Sequence, residues 1–123
     1  MKRVISVGQC GFDHGSIASL IERQFGADVV AADGLAGALR QAKSGDTALV
    51  LVNRKLDADG SDGLEIISEL KSNPTVATVP VMLVSNYPEY QTRAVALGAA
   101  PGFGKNELSR PETIEKLRPY LAD

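Results

Sequence analysis

A chain of 123 residues, 44% hydrophobic and 23% charged, has room for one compact domain spanning 1–123 and none for a second. Its net charge of -2 argues against direct nucleic-acid binding, because phosphate binders cluster Lys and Arg on one face. A single cysteine, Cys10, forms no internal disulfide, MKRVISVG lacks a signal peptide's apolar stretch, and the longest apolar runs fall short of the roughly 20 residues a membrane helix requires, so a cytoplasmic, membrane-free protein is expected.

Hydrophobic patterning then alternates between short continuous runs and helical periods. Val4 to Val7 reads as a strand, and Ile17, Leu20, Ile21 and Phe25 recur at helical spacing until Gly26. Val29 to Ala32 gives a weak second strand, and Leu35, Leu39 and Ala42 a short amphipathic helix ending near Gly45. Ala48 to Val52, apolar on both faces, predicts a central strand; Leu64, Ile67 and Leu70 follow as a helix, capped by Asp62 and broken at Asn73-Pro74. Val79 to Val84 is the fourth strand, with a helix from Tyr90 to Leu97 that stops at Gly98. A fifth strand from Ala99 to Gly104 precedes a helix carrying Ile114, Leu117 and Leu121, whose start is marked by Ser109 and Glu112 at capping-box spacing and by Pro111. Repeated strand-helix units predict an α/β, doubly wound three-layer sandwich with a parallel sheet. Its crevice lies at the carboxyl ends of the strands, where strand order reverses. Gly8, Gln9, Cys10 and Asn53 fall there, bordered by Ser85, Asn86 and Lys105 from the loops after strands four and five.

Three stretches in this order, Asp62-Gly63-Leu64-Glu65, Ser72-Asn73-Pro74 running into Val79-Pro80-Val81-Met82-Leu83-Val84-Ser85, and Ala96-Leu97-Gly98-Ala99 before Lys105, resemble the response-regulator receiver family over the whole length. The resemblance implies the flavodoxin-like (βα)5 fold of the bacterial chemotaxis regulator, with strand order 2-1-3-4-5. It also implies a phosphoryl-accepting aspartate ending the third strand, and a metal ion shared with an acidic pair ending the first. Here the acceptor position holds Asn53, whose neutral amide is no nucleophile toward phosphorus. Gly8 and Gln9 stand in place of the acidic pair, a poor donor set for magnesium, which wants hard, preferably anionic oxygens. Ser85 and Lys105 remain at the family's hydroxyl and lysine positions, Asn106 replaces the usual proline, and Gly102, with Phe103 beside it, occupies the aromatic position of the fifth strand.

The resemblance therefore implies a pseudo-receiver that requires no cofactor or metal, performs no catalysis, and binds a protein partner in bacterial two-component signalling, with a homodimer left open. By resemblance the docking face comprises Tyr87, Tyr90, Gln91, Arg93, Phe103, Lys105 and Asn106, with exposed aromatics such as Tyr90 as anchors. Two alternatives stay open: a displaced acceptor, Asp57 or Asp59, in the elongated loop after Asn53, and a small-anion or nucleotide sensor using a crevice made positive by Lys105, Arg54 and Lys55. Otherwise Asn53, Gln9 and Ser85 are expected to hydrogen-bond one another, and Ser85 to serve its own loop. Asp57 to Gly63 resembles a calcium loop at its first and third positions, but Asp62 and Ser68 fall where Gly and Glu are required. Gly8, Gly11 and Gly15 do not space as a dinucleotide loop, and Cys10 with His14 supplies two ligands where zinc needs more.

Overall fold

Runs of Val, Ile and Leu make the strands of the computed structural model, which describes residues 2–122, and amphipathic periods make its helices. The order is β1 (Arg3–Val7), α1 (Gly11–Phe25), β2 (Asp28–Ala32), α2 (Leu35–Ala42), β3 (Thr47–Asn53), α3 (Gly63–Ser72), β4 (Val81–Val84), α4 (Pro88–Ala96), β5 (Ala100–Phe103), a 3-10 turn (Lys105–Glu107) and α5 (Pro111–Leu121). The strands form one parallel sheet in the order β2-β1-β3-β4-β5. Successive side chains leave a strand on opposite faces, so β3 feeds two cores. Val50 and Val52 join Ile5, Val7 and Leu83 under α2, α3 and α4, while Leu49 and Leu51 join Val4, Met82 and Phe103 under α1 and α5. Each fully buried Leu or Val contributes about 1.5–3 kcal/mol to holding those layers together.

Asp62 caps α3 as its sequence position predicts, accepting the Leu64 N–H at 2.9 Å. The Ser109–Glu112 capping box does not form. The cap residue of α5 is Arg110, without a side-chain bond, and the glutamate used nearby is Glu107, which accepts the Gly104 N–H at 2.7 Å. The fourth strand starts at Val81, because Val79 N–H is turned back onto Val76 O.

At the sheet's β5 edge the register slips. Met82 pairs with Ala100 and Val84 with Phe103, so β5 takes three steps where β4 takes two. The extra residue reverses the alternation and drives Phe103 inward, where it is 1% exposed. Phe103 is therefore a core residue and not part of a docking face.

Candidate functional site

The crossover from β1 runs through α1 on one face of the sheet and that from β3 through α3 on the other, so a crevice opens between their carboxyl ends. Asn53 closes β3 at its floor, 9% exposed. Its Nδ2 donates to Gly8 O at 3.0 Å and to Lys55 O at 2.8 Å, so both amide protons are used. Bonds of this kind contribute about 1 kcal/mol each, and stripping either carbonyl of its donor costs more than that. Gly8 O also accepts the Asp57 N–H at 2.9 Å, which fills its second lone pair.

The elongated loop after β3 folds down onto the same point. Leu56 N donates to Ser61 O, Gly60 N to Leu56 O, and an isolated antiparallel bridge joins Lys55 to Asp62. Leu56, 2% exposed, is thereby driven beside Gly8. Gly8 has φ 74°, and a Cβ there would lie 2.4 Å from Leu56 Cγ, so only glycine fits the first acidic position. The Gln9 amide nitrogen and oxygen are buried and pair with no group among the described residues. The expected mutual bonding of Asn53, Gln9 and Ser85 is thus absent: Asn53 bonds to backbone carbonyls, Gln9 to none of them, and Ser85 to its own loop.

Ser85 Oγ accepts the Tyr87 N–H at 3.2 Å, as a residue satisfying its own turn does. Lys105 forms an ion pair with Asp13 of α1 at 2.7 Å. Its ammonium, donating to the Asp13 carboxylate, is the main cause holding that carboxyl below its ordinary value of 3.8, against a smaller upward push from burial. Arg54 lies 3.7 Å from Asp62, so a carboxylate faces two of the three cations expected to make the crevice positive. Cys10 caps α1 with its Sγ facing the Asp13 N–H at 3.5 Å, a structural role. Asp59 is exposed, and bonds from the Ser61 hydroxyl and N–H lower its pKa.

The resemblance read from the sequence implies a divalent cation at this point, and the residues present do not fit one. Gly8, Gln9 and Asn53 offer no carboxylate, Gly8 O and Lys55 O already accept protein donors, and Asp13 is drawn to Lys105. Among the described residues, no three His, Cys, Asp or Glu side chains gather as metal ligands.

On the expected docking face, Tyr90 is half-buried against the core, with Arg54 4.4 Å and Arg93 5.7 Å from its ring centroid. Tyr87 is the exposed aromatic there, 61% accessible and edge-on to Tyr90 at 6.0 Å. Gln91 fills the slip between β4 and β5: its Nε2 donates to Leu83 O at 3.0 Å and Ser85 O at 3.1 Å, and its Oε1 accepts the Gly102 N–H at 3.1 Å. Asn106 is exposed, its N–H held by Asn86 Oδ1 at 3.1 Å. Asp13 and Leu56 escaped sequence reasoning. Asp13 carried the signal of an acid in a helix's first turn, and Leu56 that of a lone apolar residue in a charged loop.

No protein-family model matches the sequence, and no curated protein matches it. Solved structures do match. The signal receiver domain of a DNA-binding response regulator from Colwellia psychrerythraea 34H is 23% identical, over 97% of this chain and 99% of that one, with a TM-score of 0.76. Chemotaxis protein CheY4 of Vibrio cholerae is 17% identical over 98% of each chain, with a TM-score of 0.72. NtrX from Brucella abortus is 20% identical over 98% of this chain and 27% of its own, with a TM-score of 0.74. The chain has the receiver fold. The expected strand order and flavodoxin-like architecture are those observed.

Proposed function

We propose that this chain is a receiver-fold regulatory module of bacterial two-component signalling that binds a protein partner and has left phosphoryl control behind. The observation that carries the reading is the Asn53 amide, which donates to Gly8 O and Lys55 O and so sets a neutral, internally bonded group at the end of β3. An amide nitrogen is no nucleophile toward phosphorus, and Lys105 and Ser85 are engaged by Asp13 and by the Tyr87 N–H. What remains for function is surface. Tyr87, Arg93 and Asn106 are exposed on the face formed by α4, β5 and the turn after it, and an exposed tyrosine edge-on to Tyr90, itself flanked by Arg54 and Arg93, has the chemistry of an interface anchor.

Neither the displaced acceptor nor the anion sensor is favoured by the geometry. Asp59 is turned into its own loop by Ser61, and Lys105 already holds a carboxylate. The reading is tested by incubating the protein with magnesium and acetyl phosphate and measuring intact mass. An unmodified chain is expected; a stoichiometric phosphoryl adduct overturns the reading, and peptide mapping would assign it to Asp57, Asp59 or Asp13.

A further inference from the structure

The two edges of the sheet differ in what they offer a further strand. β5 carries Pro101, which has no N–H to give, and its register with β4 slips. β2, at the opposite edge, is the run Asp28-Val29-Val30-Ala31-Ala32, with neither proline nor lysine, paired to β1 in unbroken register. Bonds from the Asp28 N–H to Lys2 O and from the Gly8 N–H to Ala32 O turn the backbone of Asp28, Val30 and Ala32 toward β1. By alternation the N–H and C=O of Val29 and Ala31 point along the open edge, and they pair with no group among the described residues. Ala31 is exposed, and Val29 and Val30 are half-buried.

Charge along this edge is complementary to itself. Asp28, Val30 and Ala32 leave β2 on the face covered by α2. Asp28 is exposed, and Arg3, across from it on β1, is turned to Ser44 at 3.1 Å. Arg40 of α2 is exposed near the other end of the strand: its Nη2 and the Ala32 Cβ lie 3.7 and 3.4 Å from the position a Cβ at Gly37 would take. Among the described residues neither Asp28 nor Arg40 has an opposite charge within 4.0 Å. An antiparallel copy of β2 centred on Val30 answers both needs. It sets Val29 opposite Ala31 of the second copy, so that the free N–H and C=O groups bond in both directions, and it sets Asp28 opposite Ala32 of the second copy, on the same face and beside that copy's Arg40. A slip of two residues leaves part of β2 unpaired and carries Asp28 away from Arg40. The twofold axis closes the contact, so association stops at two chains.

We infer that β2 pairs antiparallel with β2 of a second copy of this chain, extending the sheet across a twofold axis. The inference is independent of the docking role proposed above and uses the other edge of the sheet. Five-residue strands and the side chains beside them make an interface below about 1,200 Å², which places the dimer in the weak class. Sedimentation equilibrium of the chain from about 10 μM to about 1 mM tests it. The unaltered chain should dimerise within that range, and Ala31→Pro, which removes an outward N–H at an edge position that tolerates proline, should stay monomeric. Asp28→Arg and Arg40→Asp should each weaken the dimer about tenfold, and the two together should restore most of the loss, since each reversed charge then meets its opposite on the other copy. Thermal melting checks that the variants are folded, and the charge series alters exposed side chains alone, so it stands whatever Ala31→Pro does to folding. A chain that remains monomeric to the highest concentration, a dimer that folded Ala31→Pro leaves intact, or a double variant no tighter than the single ones overturns the pairing.

Discussion

The two walls of the strand-end crevice reached the same end by opposite routes. On the β1–β3 wall the charged groups of the receiver pattern are replaced, by Gly8, Gln9 and Asn53, and new backbone bonds fill the gap. On the β4–β5 wall Ser85 and Lys105 are kept, yet each is turned to a partner inside the chain. The lesson is that residue type alone does not say what a side chain does: Lys105 pairs with Asp13, and Ser85 Oγ accepts the Tyr87 N–H.

Attempts to rebuild the first wall should cost most. Gly8→Asp forces a side chain against Leu56 and buries an unpaired charge, and should lower unfolding free energy by about 3 kcal/mol or more in urea melts. A loss under 1 kcal/mol would show that the β3–α3 loop yields easily.

Asn53→Asp comes next. Its carboxylate would face the oxygens of Gly8 and Lys55, for a loss of about 2 kcal/mol at neutral pH. That carboxyl should titrate above its unfolded value, since only its protonated form can donate. The variant should therefore keep most stability below the unfolded carboxylate pKa and lose it as pH rises through the folded one, which urea melts across pH would show.

The second wall should respond less. Ser85→Ala removes the acceptor of the Tyr87 N–H before α4 and should cost about 1 kcal/mol, read by thermal melting. Asp13→Asn should cost about 0.5 kcal/mol at neutral pH, because the pair is partly solvated. The sign follows from the lowered Asp13 pKa: the wild-type contribution is present above the unfolded value of 3.8 and is lost as pH falls through the folded value. The variant should lack that part of the acid transition.

Most of the fold was legible because buried parallel strands leave continuous apolar runs and helices leave their period. Asp62 could be read as a cap, since an acid before a helix needs only local geometry. Phe103 could not, because its inward turn depends on a register slip between β4 and β5 that neither strand encodes alone. The α5 start was legible at Pro111 but its cap was not: Arg110, without a side-chain bond, takes the cap position in place of Ser109. Within the site, identities at Gly8, Gln9 and Asn53 told what was missing, but not what replaced it. The Asn53 bonds and the Lys105–Asp13 pair join residues far apart in sequence, and partner choice among such groups is settled by the packed structure.

We propose that the bonded Asn53 amide leaves the crevice unable to take up a cation and a phosphoryl group. Titrating the isotopically labelled chain with magnesium and then beryllofluoride, while following amide chemical shifts by NMR, tests it most directly. No saturable change is expected at Gly8, Asn53, Lys55, Ser85 or Lys105. Saturable shifts at those amides that spread to Tyr90 and Phe103 would contradict it, since they would mean that the crevice still binds a phosphoryl group and still transmits its arrival.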